Sequence, residues 1–157
     1  MPANRESLVA GRRLAPLDQK EITRAINTFL GLDRAAPVRY EEGVRTAFRV
    51  VIQETEDLFE IVFGPDLYPG SGVVDPNSSL SMQAAAAHEL THYYRWRDRT
   101  EIVDEQLYEI DEALTSLEAV LRFPRELDPH DIRQLIADAI QRLQMYAQKP
   151  RPDPVHG

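Results

Sequence analysis

From Leu17 the apolar positions fall at helical spacing. Ile22, Ile26 and Phe29 or Leu30 share one face, and Asp18 with Glu21 three residues on spells a capping box. Leu17 and Ile22 supply the accompanying hydrophobic staple, and Gly31 supplies a stop, so the pattern predicts a helix over Asp18 to Leu30. After Pro37 the period changes. Arg45 to Gln53 and Leu58 to Phe63 are rich in β-branched and aromatic residues and flank the acidic Glu54-Thr55-Glu56-Asp57, which predicts two strands joined as a hairpin. Turn formers crowd Gly64 to Gly72, and Val73-Val74 reads as a short strand.

A second helix is expected to start among Asn77 to Ser81, all good caps, and to run through Ala84-Ala85-Ala86-Ala87 to about Trp96. Four small side chains would also let a neighbouring backbone approach closely. The third helix, Asp104 to Phe123, carries Val103, Leu107, Ile110, Leu114, Leu117 and Leu121 at spacings of three and four, which predicts a buried stripe. Its other side holds Glu105, Glu109, Glu112 and Ser116 among Ala113 and Ala119, not the mixture of Lys and Glu usual on a free surface. Both sides are therefore expected to be packed, one on the core and one on the preceding helix. Asp128 and Pro129 open a last helix whose apolar face runs from Ile132 through Leu135, Ile136, Ala139, Ile140 and Leu143 to Tyr146.

No repeat or linker divides the chain. The pattern predicts one α+β domain over residues 17–148, a flexible segment at 1–16 and a disordered proline-rich tail at 149–157.

Charge narrows the partners. Lys plus Arg total 18 against 26 Asp plus Glu, a net charge of −8, which repels a phosphate backbone and argues against nucleic acid. The chain contains no apolar run long enough for a signal peptide or a membrane span, so the expectation is a soluble, cytoplasmic protein with no membrane partner. Cysteine is absent, which removes disulfides, thiol nucleophiles and every zinc site that uses a thiolate, including the peptide-deformylase arrangement. Oligomeric state is not legible in the pattern.

The sharpest chemistry is His88-Glu89-Leu90-Thr91-His92, an HExxH motif. Residues four apart on a helix stand one above the other, about 6 Å along the axis, so both imidazoles can grip one zinc ion. Glu89 stands beside that face, where a carboxylate can take the proton of a zinc-activated water. A catalytic zinc keeps three protein ligands, and without cysteine the third must be oxygen or nitrogen. Asp98, six residues after His92, stands where an aspartate-type metzincin would place it; His130 and the acidic side of the third helix are the other candidates.

The motif and the helix that succeeds it resemble the HExxH zincins of the gluzincin type. There the completing glutamate lies on the next helix about twenty residues after the second histidine, the place of Glu112, with Glu109 its nearest rival. Glu112-Ala113 followed by Val120-Leu121 is similar to the pattern in small intracellular metallopeptidases of the ImmA/IrrE type. Thermolysin-type enzymes carry an acid four residues after that glutamate; here Ser116 stands in its place, so a hydroxyl or another residue must support the histidine. The resemblance covers roughly residues 80–124. It implies a zincin-like domain, with a small, mostly antiparallel sheet on the HExxH helix and three further helices, and zinc held by His88, His92 and Glu112.

The expected function is a zinc-dependent peptidase acting on a peptide or protein substrate, with Glu89 as general base. Tyr68, Tyr93, Tyr94 and His130 are candidates for stabilising the oxyanion, and the strand near Leu58 to Phe63 or Val73-Val74 for pairing with substrate backbone. The alternative is a zincin-fold binding or regulatory module whose zinc is structural or absent.

Overall fold

The computed structural model describes residues 15–52, 54–55, 57–68 and 80–150. The expected strand at Val73-Val74, most of the leading segment and residues 151–157 lie outside them. Among the described residues the architecture is α+β, four α-helices and a three-stranded mixed sheet: α1 (Gln19–Leu32), β1 (Val38–Tyr40), β2 (Ala47–Ile52), β3 (Asp57–Phe63), α2 (Met82–Arg97), α3 (Tyr108–Arg122) and α4 (Pro129–Gln148).

Local chemistry sets the helix starts. Asp18 caps α1 and Asp128 caps α4, each through a complete capping box, and the Ser81 hydroxyl accepts from Ala84 N–H at the start of α2. The helix α1 runs through Gly31 to Leu32 instead of stopping at Leu30: Leu32 packs against the core and Asp33 N–H, bonded to the Phe29 carbonyl, closes the last turn. One turn of 3-10 helix, Glu105–Leu107, leads into α3, so the expected helix from Asp104 is tightened at its first turn.

The strand order is β1-β3-β2. The strands β2 and β3 are antiparallel, from Ala47 opposite Val62 to Ile52 opposite Asp57, as the hairpin pattern predicts. The strand β1 runs parallel to β3, with Val38 opposite Ile61 and Tyr40 opposite Phe63, so the sheet is mixed. Three residues are too few for a period to show, which is why the pattern missed β1. The central position of β3 corrects part of one expectation: Ile61 to Phe63 is flanked on both sides, and among the described residues β1 and β2 are the edge strands.

One hydrophobic cluster joins the layers: Phe29 of α1, Ile61 and Phe63 of β3, Ala84 to Ala87 and Leu90 of α2, Ala119 of α3 and Leu135 of α4. The four alanines are all buried, and α1, α3 and α4 all pack on α2. Phe48 of β2 stacks on Tyr93 of α2 with ring centroids 5.9 Å apart, which seats that edge strand along the HExxH helix. At the other end of the hairpin Gly64 is required, because a Cβ there would collide with the carbonyl oxygen of Val44. Asp66, just beyond, accepts from Thr46 N–H at 2.9 Å and from Thr46 Oγ1 at 2.6 Å, and so fixes the entry to β2.

The stripe on α3 contradicts its expectation. Ala113, Thr115, Ser116 and Ala119 are buried together with Glu109 and Glu112, whereas Leu114, Leu117 and Leu121 are exposed. The helix packs by its small and acidic side. Val103 is exposed as well, and on α4 the predicted face divides, with Leu135 and Ala139 inside and Ile136, Ile140 and Leu143 outside. Periodicity identifies a shared face but not the neighbour it meets.

Candidate metal centre

Two helices build the centre. Residues 88 and 92 lie one turn apart on α2, and Glu112 projects from α3 to meet both. Glu112 Oε2 is 2.9 Å from His88 Nε2 and 2.8 Å from His92 Nε2, and the two Nε2 atoms are 3.0 Å apart. Among the described residues these three form the one cluster of histidine and carboxylate atoms close enough to share an ion. A tetrahedral zinc with bonds of about 2.1 Å separates its ligands by about 3.4 Å, so the triangle receives one by opening a few tenths of an ångström.

The protons favour a cation. Ser116 donates its hydroxyl hydrogen to Asp138 Oδ2 at 2.6 Å, and Ser116 Oγ is 2.8 Å from His88 Nδ1. With its hydrogen spent on Asp138, the serine oxygen can only accept, so Nδ1 carries the ring proton. A neutral His88 then presents a bare lone pair at Nε2 to a carboxylate oxygen and a second imidazole. Acceptors facing acceptors at these distances call for positive charge between them, and two imidazole nitrogens with one carboxylate are a donor set that zinc takes.

Burial raises the Glu112 carboxyl, but the positive charge that protonated His88 and His92 would place beside it outweighs burial and holds the group well below the usual carboxylate range, so in the absence of a metal a proton supplies the charge between these atoms. Burial lowers His92, and Glu112 with the more distant Glu89 and Asp111 overcomes it, so the net shift is upward.

Glu89 lies on the same cleft, of about 450 Å³, as His88, His92 and Glu112. Its Oε2 accepts from Phe48 N–H at 3.1 Å, which ties the carboxylate to the edge of the sheet. Tyr108 and Arg142 line the cleft too. Burial and the neighbouring Glu112 carboxylate raise the Tyr108 hydroxyl above its ordinary value, so it remains a proton donor. Burial pulls Arg142 down, and Asp138 and Glu112 push it up by more.

The other sequence candidates lie elsewhere. Asp98 is the C-cap of α2, paired with Arg97 at 2.9 Å and Arg122 at 3.1 Å. Glu109 is buried on Lys149, 2.6 Å away, and His130 is exposed in the first turn of α4. Tyr68 donates to the Glu21 carbonyl and Tyr94 to Asp33, both at 2.6 Å, and Tyr93 stacks on Phe48 and packs at a tilt against Phe59. None of them joins the histidines.

Ser116 makes the supporting bond that the sequence asked of a hydroxyl or another residue. Sequence reasoning misses Asp138, Tyr108 and Arg142. For Asp138 a signal exists, a single acid between Leu135 and Ala139 on an otherwise apolar face; Tyr108 and Arg142 carry none, because their place depends on how α3 and α4 dock. No protein-family model, curated protein or solved structure matches the chain. The reading of the centre rests on its own geometry.

Proposed function

We propose that the protein is a zinc-dependent peptidase, a small zincin of the gluzincin kind, in which His88, His92 and Glu112 hold the metal and Glu89 is the general base. The observation that carries this reading is the convergence of three donor atoms within 3.0 Å of one another, with His88 held from behind by Ser116. Zinc held by these three residues would supply an acidified water and polarise a carbonyl.

The remaining work falls to the chain. Glu89, fixed by Phe48 N–H, takes the water's proton and returns it to the leaving amine. Among the described residues β2 is the sheet edge that borders the cleft, which suits an extended peptide adding to it as a further strand. Tyr108 and Arg142 are the hydrogen-bond donors on the wall beside Glu112, suited to the oxygen that gains charge as the amide is attacked.

A second reading, a binding module with a structural metal, draws support from the exposed apolar residues of α3 and α4. It leaves Glu89 a structural role alone, of which the bond to Phe48 N–H is part.

Metal analysis of protein purified without chelator, followed by digestion of a mixed peptide library read by mass spectrometry, tests the proposal. About one zinc per chain is expected, and Glu89→Gln should keep the metal while hydrolysis falls by several orders of magnitude. Metal-free protein, or cleavage undiminished in Glu89→Gln, overturns it.

A further inference from the structure

Asp138 stands in the buried face of α4, with Leu135 and Ala139 beside it wholly out of water. An acid in such a place is costly unless its oxygens are satisfied. One hydrogen bond and one cation meet them. Ser116 Oγ donates to Oδ2 at 2.6 Å, and Arg142 Nε stands 3.5 Å from Oδ1. Ser116 is itself 0% exposed, so no water competes for its hydroxyl.

The chain of bonds has a direction. A serine hydroxyl owns one hydrogen, and the carboxylate, which only accepts, takes it. What Ser116 then offers His88 Nδ1 is a lone pair, and the ring must answer with N–H. A neutral histidine free in water prefers its proton on Nε2; here that preference is reversed across two residues on two different helices. The reversal bares Nε2 on the side where Glu112 and His92 converge.

The geometry points to Asp138 as the positioning residue of the metal centre: through the Ser116 hydroxyl it holds His88 in the Nδ1–H tautomer, with Nε2 open to a divalent cation. This rests on the metal reading above. Metal-binding histidines commonly give their second N–H to a carboxylate. In this chain a serine is interposed, so the carboxylate can come from α4, which contributes no ligand itself. If Asp138 served only to join α4 to α3, its replacement would affect stability and nothing at the ring.

The test is nitrogen NMR of histidine-labelled, metal-free protein, with the pH raised until the ring nitrogen signals stop shifting and the imidazoles are neutral, combined with zinc affinity from competition with a chromophoric chelator. The proteins compared are wild type, Asp138→Asn, Ser116→Ala and the double variant, each checked for folding by circular dichroism. Wild type should show His88 protonated at Nδ1. Asp138→Asn, nearly the same shape, should shift the ring signals toward the other tautomer and weaken zinc binding about 10–100-fold. Because Asp138 acts through Ser116, the double variant should bind no more weakly than Ser116→Ala alone. An unchanged tautomer in Asp138→Asn overturns the proposal, and so do losses that add in the double variant. Wild type that takes up no zinc sinks the function proposed above, while the NMR comparison still decides whether the relay exists.

Discussion

The two sides of α3 divide in the reverse of the usual way. The side toward α2 and α4 carries Glu109, Glu112, Ala113, Thr115, Ser116 and Ala119, all buried, while Leu114, Leu117 and Leu121 are 39%, 38% and 79% exposed. Apolar area alone would turn the helix over, since each buried leucine is favoured by about 1.5–3 kcal/mol. The polar side is held inward by its partners: Glu112 meets two histidines, Ser116 bridges His88 and Asp138, Glu109 meets Lys149, and Thr115 bonds the Asp111 carbonyl at 2.7 Å. The alanines between them let α2 come close. A helix can bury its polar side where every polar group there finds a partner and leave its oily side in water.

The largest effect should come from breaking the buried side at its centre. Glu112→Gln removes the carboxylate charge from the histidines, and zinc affinity measured by chelator competition should fall by more than the roughly 100-fold that marks loss of an outer partner. Unchanged affinity would show that the acid is no ligand. Filling the same side should act on stability instead. Ala119→Leu puts three carbons where no space is exposed, and denaturant unfolding should show a loss of about 1–3 kcal/mol. The outer side should hardly respond: Leu121→Lys is expected to change unfolding free energy by less than about 0.5 kcal/mol. A loss of several kcal/mol there would mean that the leucine stripe is covered in solution.

The smallest effect sharpens the contrast with charges that stay in water. On the sheet, Glu60 bonds Arg39 Nε and Arg49 Nε, both at 2.8 Å. The Arg39 hydrogen bond, aided by Arg49 and opposed by slight burial, lowers Glu60 to about 2. A lowered carboxyl stabilises the fold above its unfolded value near 4.5, and that contribution disappears as pH falls toward about 2. An NMR titration of Glu60 should find a midpoint well under 4.5, and added salt should raise it. A midpoint at the ordinary value would mean that the pairs do not persist in water.

Much was legible in the chain alone, for local reasons. Capping boxes at Asp18 and Asp128, the β2–β3 alternation and the HExxH spacing are encoded within a few residues, so they needed no knowledge of the fold. Glu112 was reachable only through its distance from His92 and a resemblance, and no local property separates it from Glu109, one turn earlier. Lys149 makes the difference, by engaging Glu109 from the far end of α4.

By itself the sequence determined which residues share a helix face, where the helices begin and that two imidazoles stand one turn apart, because those depend on backbone geometry and neighbours in the chain. Tertiary structure decided which face of α3 points inward, which strands are the edges and which acid meets the histidines. Those outcomes depend on contacts between residues far apart in the chain, and no periodicity records a partner so distant.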